Sequence, residues 1–302
     1  MRILVTGGAG FIGSHIVEAY LSEGHEVAVV DNLATGRRAN VPRGATLHEV
    51  DIHAREFERI MAEFRPEVVS HNAAQASVKV GQTDPVHDLE VNGGGTARLL
   101  DLAIKNGVRK VIYAASGGTV YGNPQSLPIA EDTPAAPRSN YGTSKYVGEL
   151  YVQLAARTAD ITYTIFRYGN AFGPRQDPYG EAGVVAIFTG LMKEGRPCTI
   201  DGDGEQKKDY LYVGDIARAN VLALKAGDGL VANIGTGVGI SVNHIFRALS
   251  EATGNTIEPV HGPPRPGDVR NFWLDCTRAR EVLGWEPKVS FEEGIRLTVA
   301  SY

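Results

Sequence analysis

Short apolar runs alternate with longer helical patterns over the first 169 residues, and this alternation limits the possible folds more than any other feature. Helical patterns over 11–23, 84–106 and 141–159 separate runs that are rich in β-branched residues. The predicted strands are 3–7, 26–31, 46–52, 68–73, 110–116 and 163–169. Most of these runs are apolar throughout, which is typical of strands buried on both faces of a parallel sheet. The sequence therefore predicts right-handed βαβ units and a doubly wound, parallel α/β sheet.

The regularity ends after Gly169, where glycine, proline and polar residues become frequent. Residues 169–183 predict a loop that enters a substrate-binding region. A strand–helix–strand passage over 209–235 is expected to return to the large sheet. We therefore predict two domains, which are a Rossmann-type nucleotide domain over 1–169 and 209–236 and a smaller α/β C-terminal substrate domain over 170–208 and 237–302.

A glycine-rich sequence, TGGAGFIG, joins the first predicted strand to the first predicted helix. Gly7 allows a tight turn, Gly10 lets the backbone approach a diphosphate, and Gly13 lets the helix pack closely on the strand. The unpaired N–H groups and the dipole at the start of a helix favour negative charge. Because the pattern follows a strand and opens a helix, it predicts a dinucleotide site.

Asp31, at the end of the second predicted strand, indicates which dinucleotide binds. An acid there can accept hydrogen bonds from the ribose hydroxyls and would repel the 2′-phosphate of NADP. Arg37 and Arg38 are counter-evidence, because a nearby arginine can bind that phosphate. Asp31 stands closer to the expected ribose, so the sequence favours NAD. Asp51 and Ile52 are expected to flank the adenine.

Tyr141 and Lys145 are four residues apart on the predicted helix 141–159, hence on one face of it. An ammonium beside a phenol lowers the pKa of the phenol, and the charge of an oxidised nicotinamide lowers it further. The phenol is then a general base for a secondary alcohol. The alternative, an exposed pair on an amphipathic helix, fits less well with the dinucleotide pattern upstream.

The composition argues against several other classes of protein. The formal net charge of −5 does not suit a nucleic-acid partner. Cys198 and Cys276 have no CxxC spacing, and the histidines lack ligand spacing, so no metal site and no disulfide framework are predicted. No apolar run has the length of a signal peptide or a membrane span, so we expect a cytoplasmic protein.

Motifs that run in order through nearly the whole chain resemble the extended short-chain dehydrogenase/reductase superfamily. The resemblance is strongest to the UDP-glucose (UDP-galactose) 4-epimerases and nearby nucleotide-sugar epimerases. The motifs are TGGAGFIGSH, DNLATG, HNAAQASV, SGGTVYG, YGTSK, RYGNAFGPRQDP, DGDGEQKKDYLYVGDIARA and RPGDVRNFWLD. The resemblance implies a NAD-dependent epimerase that interconverts UDP-glucose and UDP-galactose at carbon-4 through a 4-keto sugar. It also implies a homodimer that forms through the helices 84–106 and 141–159.

The resemblance also implies roles for individual residues. The catalytic residues would be Tyr141, as the base, and Lys145, as its partner. The NAD contacts would be Gly7, Gly10, Phe11, Ile12, Gly13, Asp31, Asn32, Asp51, Ile52, Ala73, Ala74, Asn92, Ser116, Tyr141, Lys145 and Tyr168. The UDP-hexose contacts would be Gly117, Gly118, Thr119, Tyr141, Asn170, Gly183, Val184, Val185, Phe188, Thr199, Lys208, Arg265 and Asp268.

Two substrate positions depart from the family pattern. Lys208 replaces an arginine that contacts the phosphates, so that contact is weaker or is shared with Lys207. Phe272 lies where some members have a small residue that admits an N-acetyl group. Its bulk favours a plain hexose, although a large side chain there could also only fill the core.

Gly117 is the third departure, because it occupies the position of the family's catalytic serine or threonine. Either Ser116 or Thr119 supplies a hydroxyl instead, or Tyr141 reaches the sugar directly. We predict the direct route, because two successive glycines leave room for the sugar ring.

Other reactions of the same superfamily remain alternatives, namely epimerisation of a UDP-N-acetylhexosamine or UDP-glucuronate, dehydration and decarboxylation. A 4,6-dehydratase is expected to carry an Asp-Glu pair after its threonine, and the GGT sequence supplies no acid. A non-catalytic nucleotide sensor of this fold typically lacks the tyrosine and lysine that this chain has.

Overall fold

The computed structural model describes residues 1–179, 183–264 and 269–302. The strands are β1 (Arg2–Thr6), β2 (Glu26–Asp31), β3 (Thr46–Glu49), β4 (Val68–His71), β5 (Lys110–Ser116), β6 (Thr162–Tyr168), β7 (Asn170–Phe172), β8 (Thr199–Asp201), β9 (Lys207–Tyr212), β10 (Leu230–Ile234), β11 (Gly239–Ser241) and β12 (Val260–Gly262). The helices are α1 (Phe11–Ser22), α2 (Arg55–Phe64), α3 (Val78–Thr83), α4 (Pro85–Leu89), α5 (Gly95–Lys105), α6 (Gly117–Val120), α7 (Asn140–Thr158), α8 (Val184–Lys193), α9 (Val213–Ala223), α10 (Val242–Thr253), α11 (Thr277–Leu283) and α12 (Phe291–Ala300).

A parallel sheet with the order β10-β6-β5-β4-β1-β2-β3 forms the centre of the larger domain. Successive side chains of a strand point to opposite faces, so Ile3 and Val5 lie in the core beneath α1 and α9, and Leu4 lies in the core beneath α2 and α5. Helices therefore cover both faces of the sheet. The predicted doubly wound α/β fold is confirmed.

The strand order reverses between β1 and β4, which are neighbours although two strands separate them in the sequence. A doubly wound sheet opens a crevice outside the carboxyl ends of its strands at such a reversal, and ligands bind there. The loops after β1 and β4 and the start of α1 border this crevice.

The smaller domain contains the three-stranded sheet β11-β9-β7, the pair β12-β8 and the helices α8, α10 and α12. The prediction that the strand near 209–212 returns to the large sheet is wrong, because β9 pairs with β7 and β11. β7 follows directly on β6 through Gly169 and carries the chain away from the large sheet, and β9 adds to that extension. The later strand, β10, does join the large sheet beside β6.

The helix predicted over 84–106 consists of three consecutive segments. α4 and α5 are joined by a π-helical turn over Glu90–Gly94. A π-turn widens the helix locally and is frequent at functional sites. It carries Asn92, whose side chain is buried.

Candidate active site

Glycines shape the crevice where β1 passes into α1. A Cβ atom on Gly7, whose φ is +69°, would lie 2.6 Å from the backbone nitrogen of Ala73, and one on Gly13 would lie 2.1 Å from the carbonyl oxygen of Gly7. Gly10 precedes α1 without a side-chain cap, and a Cβ there would meet only the Gly7 carbonyl, at 3.2 Å. The first N–H groups of α1 therefore face open space of the kind that a diphosphate occupies.

Asp31 lies at the carboxyl end of β2 and is 8% exposed. Its carboxylate accepts hydrogen bonds from the backbone nitrogens of Ala9 and Leu33, both at 2.9 Å. A carboxylate has about four acceptor positions, so two remain for ribose hydroxyls.

The two arginines near Asp31 both have carboxylate partners in the structure. Arg37 pairs with Asp177 at 2.8 Å, and Arg38 pairs with Glu49. Each guanidinium is thus paired with a carboxylate instead of being free to bind a 2′-phosphate. The two arginines are therefore weak evidence for NADP.

The expected adenine side of the crevice is built from the ends of β2 and β3. The Asn32 side chain donates a hydrogen bond to Asp51 at 2.8 Å. Ile52 is buried and fills the space left by the missing side chain of Gly95. Phe11 and Ile12, in the first turn of α1, are half-buried.

The end of β4 closes the crevice from the other side. The backbone of Asn72 and Ala73 lies against Gly7, and Ala73 donates a hydrogen bond to the hydroxyl of Thr6 at 3.3 Å. Among the described residues, the buried Oδ1 of Asn72 has no hydrogen-bond partner. Ala74, next in the chain, is half-buried.

Tyr168 does not lie where the resemblance implies. Its side chain is buried in the core beneath α1 and α9, and its hydroxyl accepts a hydrogen bond from Asn220 at 2.8 Å. Tyr168 ends β6 with its side chain on the face that α9 covers, so its contact with a cofactor is not supported.

Tyr141 and Lys145 occupy one face of α7, close to its N-terminal end. Ser139 caps this helix by accepting a hydrogen bond from the Gly142 nitrogen at 3.0 Å. Lys145 is 4% exposed, and its Nζ atom lies 4.4 Å from the centre of the Tyr113 ring. The Tyr113 hydroxyl donates a hydrogen bond to the Lys145 carbonyl at 3.1 Å, which fixes this turn of the helix on β5.

The pKa of the Tyr141 phenol is shifted in the direction opposite to the expected one. Burial raises it to about 12, hydrogen bonding with Ser116 acts to lower it, and the negative charge of Asp88 raises it further. The expectation that Lys145 lowers this pKa is wrong for the protein's own groups, because desolvation outweighs every other influence. Burial also lowers the pKa of Lys145 to about 8, while Glu149 and Asp88 act to raise it.

The two glycines after β5 begin the short helix α6. A Cβ on Gly117 would lie 3.0 Å from the carbonyl oxygens of Arg167 and Tyr168, so this position faces β6 and not the crevice. The expectation that Gly117 leaves room for a sugar is therefore wrong. Gly118 is exposed, and a Cβ there would approach the Asn170 side chain at 3.5 Å.

Two hydroxyl groups flank these glycines. Ser116 interacts with the phenol of Tyr141, and the Oγ1 atom of Thr119 is buried without a partner among the described residues. A displaced hydroxyl at Ser116 and the predicted direct route are therefore both compatible with this arrangement.

The residues expected to bind the UDP-hexose are distributed between the two domains. Asn170, Gly183 and Val184 are at least partly accessible, whereas Val185 and Phe188 are buried in the core of the smaller domain, so only their backbone can border a ligand. Thr199 is exposed on β8, and the Lys208 ammonium donates a hydrogen bond to the Val269 carbonyl.

Two further substrate residues predicted from the resemblance, Arg265 and Asp268, lie outside the described residues. Phe272 is buried in a cluster with Val120, Tyr121, Ile129 and Leu274.

Three buried charged residues near the Tyr141/Lys145 pair escaped sequence analysis. Glu149 lies one turn after Lys145 and pairs with Arg167 of β6 at 2.7 Å. Asp88 of α4 is completely buried. The i, i+4 spacing of Lys145 and Glu149 was a usable signal. Asp88 had no comparable signal, because its contacts come from other segments of the chain.

The described part of the chain contains no group of three or more histidine, cysteine, aspartate or glutamate residues that could hold a metal ion. No helix within the described ranges has the length and apolar character needed to cross a membrane.

The crevice, its glycine turn and the pairing of Tyr141 with the buried Lys145 define a dinucleotide-dependent enzyme of the short-chain dehydrogenase type. The chain belongs to the NAD dependent epimerase/dehydratase family, whose model matches residues 3–235.

The most informative similarities extend over the full length of the chain. It is 45% identical to the UDP-glucose 4-epimerase of Mycolicibacterium smegmatis, covering 99% of this chain and 97% of that protein. The crystal structure of the UDP-glucose 4-epimerase of Thermotoga maritima with UDP-glucose has a TM-score of 0.97 and 51% identity, covering 100% of this chain and 98% of that one. The Thermus thermophilus UDP-glucose 4-epimerase in complex with NAD has a TM-score of 0.95 and 48% identity, with 100% and 98% covered.

Proposed function

We propose that this protein is a NAD-dependent UDP-glucose 4-epimerase, which interconverts UDP-glucose and UDP-galactose. The observation that carries the proposal is the pair of Tyr141 and the buried Lys145 on one face of α7, in a chain that is 51% identical over its whole length to a UDP-glucose 4-epimerase. The dehydratase, decarboxylase and other epimerase alternatives are not favoured by the relatives.

The crevice suits NAD in three respects. The start of α1 offers N–H groups to a diphosphate, Asp31 has free acceptor positions for the ribose, and the orphaned Oδ1 of Asn72 offers one more acceptor at the crevice wall. Gly7, Gly10, Gly13, Asp31, Asn32 and Asn92 would hold the dinucleotide. Bound NAD supplies the hydride acceptor and donor for carbon-4 of the sugar.

The chain's own residues then handle the proton. Tyr141 takes the proton of the 4-hydroxyl when the 4-keto sugar forms and returns it after the sugar has turned its other face. Ser116, which influences the phenol, would relay the proton, since its hydroxyl donates its own proton to the Tyr141 oxygen as it accepts the proton of the sugar 4-hydroxyl. Because burial raises the pKa of Tyr141, the positive charges of Lys145 and of bound oxidised NAD would have to act together to favour the ionised phenol.

The smaller domain would bind the UDP part of the substrate. Asn170 and Lys208 lie on its β7 and β9, at the boundary with the large domain. Arg265 and Asp268 would add a diphosphate clamp and a uridine contact. We assign nucleotide binding to 1–169 and 213–236 and substrate binding to 170–212 and 237–302, with β9 moved to the smaller domain for the reason given above.

The assembly and cellular setting are further parts of the proposal. Exposed apolar residues of α4 and α7, including Val86, Leu89, Leu150 and Leu154, support a homodimer that buries this face. The free cysteines, Cys198 and Cys276, support a reducing, cytoplasmic location in galactose metabolism. Phe272 is buried in a core cluster, so the support for a plain hexose comes from the relatives, which are UDP-glucose 4-epimerases.

Incubation of the purified protein with UDP-galactose, followed by chromatographic separation of the nucleotide sugars, tests the activity. We expect conversion to an equilibrium mixture with UDP-glucose, and much slower conversion of UDP-N-acetylgalactosamine. A Tyr141→Phe variant should lose the general-base contribution, on the order of 10²–10⁴ in rate. A folded protein that leaves UDP-galactose unchanged, or that forms a 4-keto-6-deoxy product, would contradict the proposal.

A further inference from the structure

The carboxylate of Asp88 is a completely buried group among the described residues that the proposed function does not use. Its residue is 0% exposed, whereas Asp84, four positions earlier on the same short helix, is exposed. An aspartate is rarely buried completely unless other groups compensate its charge. The described residues that bond to Asp88 include no cation, so polar contacts must compensate that charge.

Asp88 accepts hydrogen bonds from three different segments. Its Oδ2 atom accepts from the Ser144 hydroxyl at 2.5 Å. Its Oδ1 atom accepts from the amide groups of Gln75 and, at 3.4 Å, of Asn92. The three donors belong to α7, to the loop after β4 and to the π-helical turn.

These donors are also bonded to one another. The Asn92 amide donates to the Gln75 carbonyl at 3.0 Å and to the Ser144 hydroxyl at 3.0 Å, and its oxygen accepts from the Gln75 nitrogen at 2.9 Å. Ser144 directly precedes Lys145 and lies one turn from Tyr141. Asp88 is therefore the centre of a buried network beneath the catalytic pair.

The charge of Asp88 also reaches the catalytic pair, and it raises the pKa of both Tyr141 and Lys145. Each of the other titratable groups that face Tyr141 and Lys145 is either paired with an opposite charge or uncharged. Glu149 of α7 is paired with Arg167 of β6, Tyr113 of β5 presents its ring to Lys145, and burial lowers the pKa of His71 of β4 to about 3, so this histidine is neutral.

We propose that Asp88 is a positioning residue for catalysis, a buried carboxylate that joins Ser144, Asn92 and Gln75 beneath the active site and balances the Lys145 ammonium. It acts through Tyr141 and Lys145 and does not touch the substrate. The inference rests on the roles proposed above for these two residues.

Asp88→Asn tests the proposal, since it removes the charge and keeps nearly the same shape. We expect kcat for UDP-galactose to fall roughly tenfold to a hundredfold, the range for losing a hydrogen bond to a charged group, while KM changes little. Asp84→Asn is the matched control. It is the same exchange on the same helix at an exposed position, where asparagine still caps the helix, and it should leave kcat unchanged.

The pH dependence distinguishes a charge effect from general loosening. Loss of a negative charge lowers the pKa of Lys145, so the alkaline fall of kcat should move to lower pH by roughly half a unit or more. A loosened site would expose Lys145 and move that fall to higher pH, towards the ordinary value of 10.5. A shift upwards, or none, in Asp88→Asn would overturn the proposal.

A readout independent of turnover separates this inference from the proposed function. The absorbance of tyrosinate near 295 nm is followed as the pH is raised, for the unmodified protein and for Asp88→Asn. In each case the curve of the same protein with Tyr141→Phe added is subtracted, which isolates the ionisation of Tyr141. Tyr141 should ionise at lower pH in the Asp88→Asn background even if the protein epimerises nothing. An unchanged titration overturns the inference alone.

Ser144→Ala keeps the test decisive if Asp88→Asn does not fold. It removes the hydroxyl that donates to Asp88 Oδ2 and leaves the carboxylate in place. We expect kcat to fall by roughly fivefold or more, since a lost hydrogen bond costs about 1 kcal/mol. A kcat equal to that of the unmodified enzyme would contradict the positioning role.

Discussion

Gly117 occupies the position of the family's catalytic serine or threonine, and its surroundings leave little space for a side chain. A side chain at this position would point at the carbonyl oxygens of Arg167 and Tyr168, at 3.0 Å, and at Leu274. A serine there would have to displace backbone. Ser116, one residue earlier at the end of β5, interacts with Tyr141 instead. We therefore predict that Ser116 supplies the hydroxyl that Gly117 lacks.

Alanine substitution of the two flanking hydroxyls tests this displacement. Ser116→Ala should lower kcat by roughly tenfold to a hundredfold, because it removes a hydrogen bond to a charged group in the transition state. Thr119→Ala, the control on the other side of the glycines, should cost less than threefold. Both are measured as kcat and KM for UDP-galactose beside Tyr141→Phe. Equal small losses in both variants would instead favour direct transfer between Tyr141 and the sugar.

Residues with local signatures could be predicted from the sequence, whereas residues defined by tertiary contacts could not. Gly7, Asp31 and the Tyr141/Lys145 spacing each stand at a fixed offset from a strand or helix end. Asp88 has no such pattern, since its partners are brought together by three separate segments. The rise that burial causes in the pKa of Tyr141 could not be predicted, because the sequence does not show how completely a side chain is desolvated.

At the scale of elements, strand and helix positions in the first 169 residues followed closely from the sequence, because β-branched apolar runs and helical periodicity are local signals. The sheet to which a strand belongs is not local. The predicted strand near 209–212 exists as β9, but its pairing depends on β7, which diverges from the large sheet after Gly169. Strand membership therefore needed the structure.

The exposed face of α7 predicts how two copies of the chain associate. Leu154 is 46% exposed, and burying a leucine side chain contributes about 1.5–3 kcal/mol. Leu154→Glu should therefore shift the protein towards monomer in sedimentation-velocity experiments at fixed concentration. Leu297→Glu is the matched control, because Leu297 is 40% exposed on α12, away from this face. The same sedimentation for both variants would place the interface elsewhere.

The stability of the whole molecule should depend on acid through one buried histidine. His71 ends β4, with its Nδ1 atom 2.7 Å from the Thr6 hydroxyl and its Nε2 atom 3.1 Å from that of Thr96. Burial, aided by the charge of Lys145, lowers its pKa from 6.5 to about 3. At a pH between these two pKa values, His71 binds a proton in the unfolded chain but not in the folded protein. The free energy of unfolding therefore falls as the pH drops from about 6.5 towards 3, by up to about 1.4 kcal/mol per pH unit from this group.

His71→Gln tests this contribution, since glutamine does not titrate and can still hydrogen-bond to one of the two threonines. Urea unfolding followed by circular dichroism between pH 5 and pH 7, at one protein concentration, gives the slope of the unfolding free energy against pH. We expect His71→Gln to be less stable at pH 7 but to have a slope lower by roughly 0.7 proton, averaged over this pH range. His87→Gln, at an exposed position on α4, should retain the slope of the unmodified protein. If the His71 and His87 variants have equal slopes, acid unfolding of the molecule begins at another group.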